Sequence, residues 1–376
     1  MAKDQSKPEH GLDSDSPEAR ATQKRKLEHI EICLEEDVQY TRPTLLEDVS
    51  FIHNAIPEIS KDDIDLTIDF IGLEAAAPIV IAAMTGGHPK TYTINKRLAE
   101  AAETVGLPIG VGSQRAALEN PSLEDTFRVV RESAPSVPII ANIGATHVRN
   151  ASDAVNMIDA DLLAIHLNTL QEAVQPEGDC DSRGVLASIR EIVDAVEVPV
   201  IVKETGAGIS ADAARSLQEA GVAAIDVGGA GGTSWSAVEY YRALRDGDST
   251  KAHLGQEFWD WGIPTALSLI MALEGTEIPI MATGGIRSGL DVAKCVSLGA
   301  VAAGLAHPLL DAAVRGTSHD LVELLEQMIE SIRVSMYLIG AQTVEELRRS
   351  RLILGGSLFE LLKALGLDYR SYMHIY

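Results

Sequence analysis

Between Ile79 and Leu305 the chain repeats one pattern: a short apolar run rich in Val, Ile and Ala, a Gly or polar turn, then an amphipathic stretch of helical period. Such alternation is the signature of parallel β/α units. The predicted strands are Pro78 to Ala83, Pro108 to Gly112, Val137 to Ile143, Leu162 to Leu167, Val198 to Glu204, Ala223 to Gly228, Ile278 to Thr283 and Val301 to Leu305. Their unbroken apolar character fits strands covered on both faces. Eight units in roughly 230 residues match a closed (β/α)₈ TIM barrel, an α/β fold, better than an open doubly wound sheet.

The flanks read differently. Residues 1 to about 20 are polar and give little to bury, which predicts a disordered tail before one domain over 21–376. Leu27 to Leu73 is expected to pack as an N-terminal cover, and Gly229 to Gly262 is too long for a simple βα loop and reads as a lid or a binding loop at the C-terminal face. Leu321 to Leu365 is expected to form helices that close the barrel and join subunits.

In a barrel the active site lies where the strands end. The predicted ends carry Thr85, Ser113 with Arg115, Asn142, His166 with Asn168, Lys203 with Glu204, Gly228, and Thr283 with Gly285 and Arg287. One polar strand end is ordinary; so many together point to a site.

Charge restricts what that site can be. The chain has 31 Lys and Arg against 55 Asp and Glu, a net charge of −24, which argues against nucleic-acid or anionic-membrane binding. An anionic ligand must therefore find a local basic pocket. Acidic residues spread along the whole chain, with 11 Lys against 20 Arg, resemble a protein of a halophilic archaeon; an acidic mesophile protein is the alternative. Cys33, Cys180 and Cys295 have neither disulfide-framework nor zinc spacing, and the longest apolar run, Ala75 to Met84, is too short to span a bilayer. A soluble cytoplasmic protein is expected.

ATGGIRSG at 282–289, ahead of a helical stretch, has the form of a barrel phosphate site, with Arg287 adding charge. GGAGGTSW at 228–235 supplies a second loop for close backbone approach, or else a mobile linker. Two such loops with Lys203 suggest FMN, whose reduced ring is stabilised by a cation near N1; a structural ion pair is the plainer role for Lys203. In IHLNTLQEAVQPEGD at 165–179, His166 and Asn168 share one strand face and Gln171 and Glu172 follow in the turn. The first three suit an anionic head group, and Glu172 is a hard oxygen ligand suited to Mg²⁺. Arg25, Lys26 and His29 either clamp a diphosphate or sit on a solvated helix.

RKLEHIEI at 25–32, AMTGGH at 83–88, VGSQR at 111–115, ANIGA at 141–145, HLNTLQEAVQPEGD at 166–179, KETG at 203–206, the two Gly-rich segments and GLAHP at 304–308 together resemble the FMN-dependent type 2 isopentenyl-diphosphate delta-isomerases. GGIRSG also occurs in other FMN barrels, whereas the Arg-Lys pair with HLNxLQExxQPEGD is far more specific. The resemblance implies interconversion of isopentenyl diphosphate and dimethylallyl diphosphate with reduced FMN as acid and base, NADPH as reductant, Mg²⁺, and a homo-octamer of stacked tetramers. It implies FMN binding by Ala83, Met84, Thr85, Ser113, Asn142, Lys203, Thr233, Gly285, Ile286, Arg287, Ala306 and His307. Substrate binding falls to Arg25, Lys26, His29, Ser113, Gln114, Arg115, His166, Asn168 and Gln171, with Gln171, His166 and Asn168 catalytic and Glu172 on the metal. A hydroxy-acid oxidoreductase, a nucleotide dehydrogenase using Cys180 and a non-catalytic flavoprotein are the competing readings.

Overall fold

A computed structural model describes residues 17–373. Eight parallel strands close into a barrel: β1 (Ile79–Ile81), β2 (Ile109–Gly110), β3 (Ile139–Gly144), β4 (Leu162–Leu167), β5 (Val200–Glu204), β6 (Ala224–Asp226), β7 (Ile280–Ala282) and β8 (Ala302–Leu305). Each pairs with the next, and β8 returns to β1 through Ala303↔Ile79, which excludes the open sheet. Every strand lies within its predicted run or, for β3, one residue beyond it.

The register positions the chemistry. Gly144 pairs with His166, His166 with Lys203 and Lys203 with Asp226, so the ends of β3 to β6 present their residues at one level. Buried Val, Ile and Leu from the strands and surrounding helices form one continuous core.

Most of the predicted tail lies outside the described residues, but its end is helical, because the N-terminal helix spans Pro17–Glu35. This helix crosses the C-terminal face of the barrel and packs on Trp235–Asp246, where Ile32, Val38, Ala237 and Val238 make a small second core. The segment expected to be a lid loop is mostly two helices, Trp235–Asp246 and Ser249–Glu257, capped by the side chains of Ser234 and Asp248. Helices Ser318–Ile339 and Gly356–Leu365 follow the barrel, and Leu352–Leu354 pairs antiparallel with Val49–Phe51, tying the two flanks together.

Candidate active site

A cavity of about 550 Å³ opens at the C-terminal ends of the strands beneath the N-terminal helix, within the roughly 300–1,000 Å³ usual for small-ligand sites. Every site residue singled out from the sequence lines it except Gln114.

On the β6 to β8 side the wall is backbone. The loops at 228–233 and 283–287 pack directly on each other: a Cβ on Gly232 would lie 2.4 Å from the Gly285 nitrogen, and Gly285 itself has φ +73°. Here the glycines serve loop-on-loop packing, and that packing shapes the cup. Among the described residues the amides of Gly285, Ile286 and Ala306 find no acceptor within the chain. Ser288 caps the following helix, Gly289–Ser297, with a capping box. Unpaired donors at a cup wall suit a phosphate. Arg287 donates to the Gln39 side chain at 2.6 Å, and His307 faces both Gln39 and the Cys33 carbonyl. Gln39 lay in no motif.

Lys203 rises from the floor of the cavity and donates to the Glu204 carbonyl at 2.9 Å. Below it Asp226, almost wholly buried, accepts from the Thr283 hydroxyl at 2.6 Å. Burial pushes the Glu204 carboxyl up to about 7 against the Ala207 and Gly206 amides that donate to it. These groups fit a flavin mononucleotide: a cation at strand-end level, free amides at the cup and a broad cavity between them.

The β2 to β4 side and the N-terminal helix instead present side chains. Lys26 donates to the carbonyls of Gly86 and Ser113 and pairs with no carboxylate among the described residues, and burial lowers its pKa to about 7. Arg25 pairs with Glu177 at 3.3 Å. His166 bonds Asn142 at 2.9 Å, and burial, with Lys203 nearby, lowers its pKa to about 3. Glu172 accepts from Asn168 at 3.0 Å and from Gln175 and the Asp179 amide. These bonds fix the carboxylate while leaving lone pairs, which fits a Mg²⁺ held by one carboxylate plus substrate phosphates. Among the described residues no cluster of three acidic, His or Cys side chains could hold a metal by itself.

Gln114 stands apart from the other residues singled out from the sequence. Its side chain is fully buried, donates to the Ala154 carbonyl at 2.8 Å and accepts from the Asn142 amide at 2.9 Å, so it braces β3 from behind.

The sequence reading missed Glu239. This buried carboxylate accepts from Gln171 at 2.8 Å, His29 at 3.0 Å and Arg242 at 2.6 Å. Burial pushes it up, but His29 and Arg242 hold it down at about 2. Burial lowers the pKa of His29, and its bond to Glu239 opposes that shift. Glu239 has no local signature; only its place in an amphipathic helix facing inward marks it.

Residues 165–354, half of the chain, match the family described as FMN-dependent dehydrogenase. The chain is 51% identical over 348 residues to an isopentenyl-diphosphate delta-isomerase of Methanothermobacter thermautotrophicus, covering 93% of this chain and 98% of the relative. It is 48% identical to the same-named protein of Methanosarcina barkeri, with 93% and 97% covered. The chain belongs to the isopentenyl-diphosphate delta-isomerase family. Through the FMN family match it is a flavoprotein. Among solved structures it resembles a flavocytochrome b2 variant with a TM-score of 0.65 at 17% identity, covering 93% of this chain and 88% of that one. A lactate oxidase of Pediococcus acidilactici gives 0.62 at 16% identity, with 90% and 94% covered. Those two likenesses concern the barrel fold.

Proposed function

We propose that this isomerase interconverts isopentenyl and dimethylallyl diphosphate, a step of isoprenoid biosynthesis, in the single cavity described above. The observation that carries the reading is that two anion-binding ends share one cavity in a protein of net charge −24: a backbone cup with Lys203, and a side-chain cluster with Lys26, Arg25 and His166. The first end suits the FMN phosphate and ring, the second a diphosphate.

Shifting a double bond by one carbon requires a proton added at one end and removed at the other, and FMN in its reduced form supplies that acid and base when bound. The chain's own residues bind and exclude. Lys26, Arg25, Arg115, His166 and Asn168 hold the diphosphate far from the reacting carbons, so binding energy fixes their position. Glu172 would hold Mg²⁺ against the phosphates. Gln171, which lines the same cavity with its amide held by Glu239, would act on the substrate together with His166 and Asn168. The N-terminal helix with its small second core covers the cavity and excludes water from a cationic intermediate. Residues 21–376 act as one FMN-binding unit reduced by NADPH in the cytoplasm. Exposed Ile52, Ile56 and Ile353, on or beside the flank formed by the Val49–Phe51 and Leu352–Leu354 pair, offer an apolar contact for the homo-octamer that the family resemblance implies.

Enzyme reduced once by dithionite without air should convert many equivalents of isopentenyl diphosphate, and oxidised enzyme none. NADPH consumed one for one with product would overturn the reading. Glu172→Gln should lose most of the Mg²⁺-dependent rate, and an undiminished rate would remove Glu172 from the metal.

A further inference from the structure

One titratable side chain at the cationic end belongs to none of the groups discussed so far. His147 lies in the turn after β3, half-buried, and lines the cavity. Its backbone is engaged, the N–H donating to the Gly144 carbonyl at 3.1 Å. Among the described residues its ring has no hydrogen-bond partner. A Cβ on Gly144 would lie 3.4 Å from His147 Cδ2 and 3.5 Å from His166 Nε2, so the two rings border the same small space.

The neighbouring His166 offers that space little. Asn142 Nδ2 donates to the Val111 carbonyl at 3.0 Å, which turns its amide oxygen toward His166 Nδ1 at 2.9 Å. That nitrogen carries the hydrogen, and in the neutral ring Nε2 keeps a lone pair, so His166 donates to a phosphate oxygen only as the imidazolium. Charging His166 is opposed by burial, Lys203, His147 and Lys26, and favoured by the Ile143 carbonyl.

His147 is placed otherwise. It faces His166 from β4, and Arg115 and Glu119 from the helix after β2. Burial and Arg115 lower its pKa, and Glu119 opposes them, so the free ring is mainly neutral near pH 7. A diphosphate entering beside it favours the imidazolium.

We infer that His147 is a further substrate-binding residue, which takes up a proton as the diphosphate enters and donates an N–H to it. The inference rests on the reading of this cavity end as the diphosphate site. Ligand raises the pKa of the ring, so affinity falls as pH rises from the free to the bound value and levels off above the bound value.

The test uses FMN-loaded oxidised enzyme and isopentyl diphosphate, a saturated diphosphate that cannot isomerise. Calorimetry near pH 7 in two buffers of different ionisation enthalpy gives Kd and the protons taken up. Ligand protonation and any contribution from Lys26 or His166 are common to all variants, so differences report the residue at position 147. His147→Gln should reduce proton uptake and weaken binding about tenfold, the scale of one hydrogen bond to a charged group. His147→Lys should restore Kd to within about threefold without that proton uptake. Unchanged uptake and affinity in His147→Gln would overturn the inference while leaving the diphosphate reading intact. Wild-type enzyme that bound no isopentyl diphosphate would overturn both.

Discussion

At the β6 to β8 end of the cavity the anion donors are backbone amides on two glycine-rich loops, whereas at the other end they are long side chains from β2 to β4 and the N-terminal helix. Backbone amides need no counter-charge and do not titrate, and each of the two loops is built from residues close in sequence. The side-chain end uses carboxylates to orient Arg25, His29 and Arg242. It draws them from afar: Glu239 is 210 positions from His29, and Glu177 is 65 from Arg242. One end is a property of two turns, the other of a network, and a network fails as a unit.

That contrast is broken most severely at Glu239. Replacing it with Ala would leave Arg242, which is 6% exposed, without its most buried partner. The expected loss is about 3–5 kcal/mol, read by chemical denaturation, with weaker diphosphate binding and little change in FMN content. Preserved stability would mean that the network is not cooperative. Acid provides the same test without mutation. The Glu239 pKa is lowered on folding to about 2, so its stabilisation is present above the ordinary carboxylate range near 4.5 and is lost as pH falls toward 2. Denaturation midpoints measured across that window should decline more steeply in the wild type than in Glu239→Gln.

Next in size is Lys203→Ala, which attacks the cup from its floor. Turnover should fall by about 10²-fold or more, on the scale of losing one preorganised donor to developing charge. Flavin content and midpoint potential should fall with it. A wild-type rate and potential would reduce Lys203 to a structural residue.

Gly285→Ala tests whether the cup depends on loop-on-loop contact. The added methyl would meet Thr44 Cγ2 at 2.4 Å in a backbone with φ +73°. Strain of about 1–3 kcal/mol should weaken FMN roughly tenfold or more, with the affinity for a diphosphate changing much less. Equal weakening of both ligands would show that the two ends are coupled.

The smallest effect is expected at Glu119, whose pair with Arg115 at 2.7 Å is exposed. Glu119→Gln should alter stability by less than about 1 kcal/mol and change the KM for substrate only slightly, because Arg115 remains. A large change there would mean that this surface pair sets the position of Arg115.

The cup was legible because its residues are contiguous: ATGGIRSG and GGAGGTSW state their glycines and caps in order, and strand alternation placed them at strand ends. The burial of Gln114 was not legible, because a polar residue within VGSQR gives no sign of which way it points; β2 is short, and the side chain turns back to brace β3. The lid was misread as loop because its length was judged without weighing the Ser234 and Asp248 caps that start its helices.

The sequence by itself determined the barrel and the position of most cavity-lining residues along it, since period and local turn chemistry act over a few residues. Only the tertiary structure decided which carboxylate serves which cation. Glu239, Arg242 and Gln39 belong to no motif, and their roles arise when the N-terminal helix lies across the barrel mouth and meets them. A buried charge takes its meaning from its partner, and partners distant in sequence are chosen by packing, not by spacing.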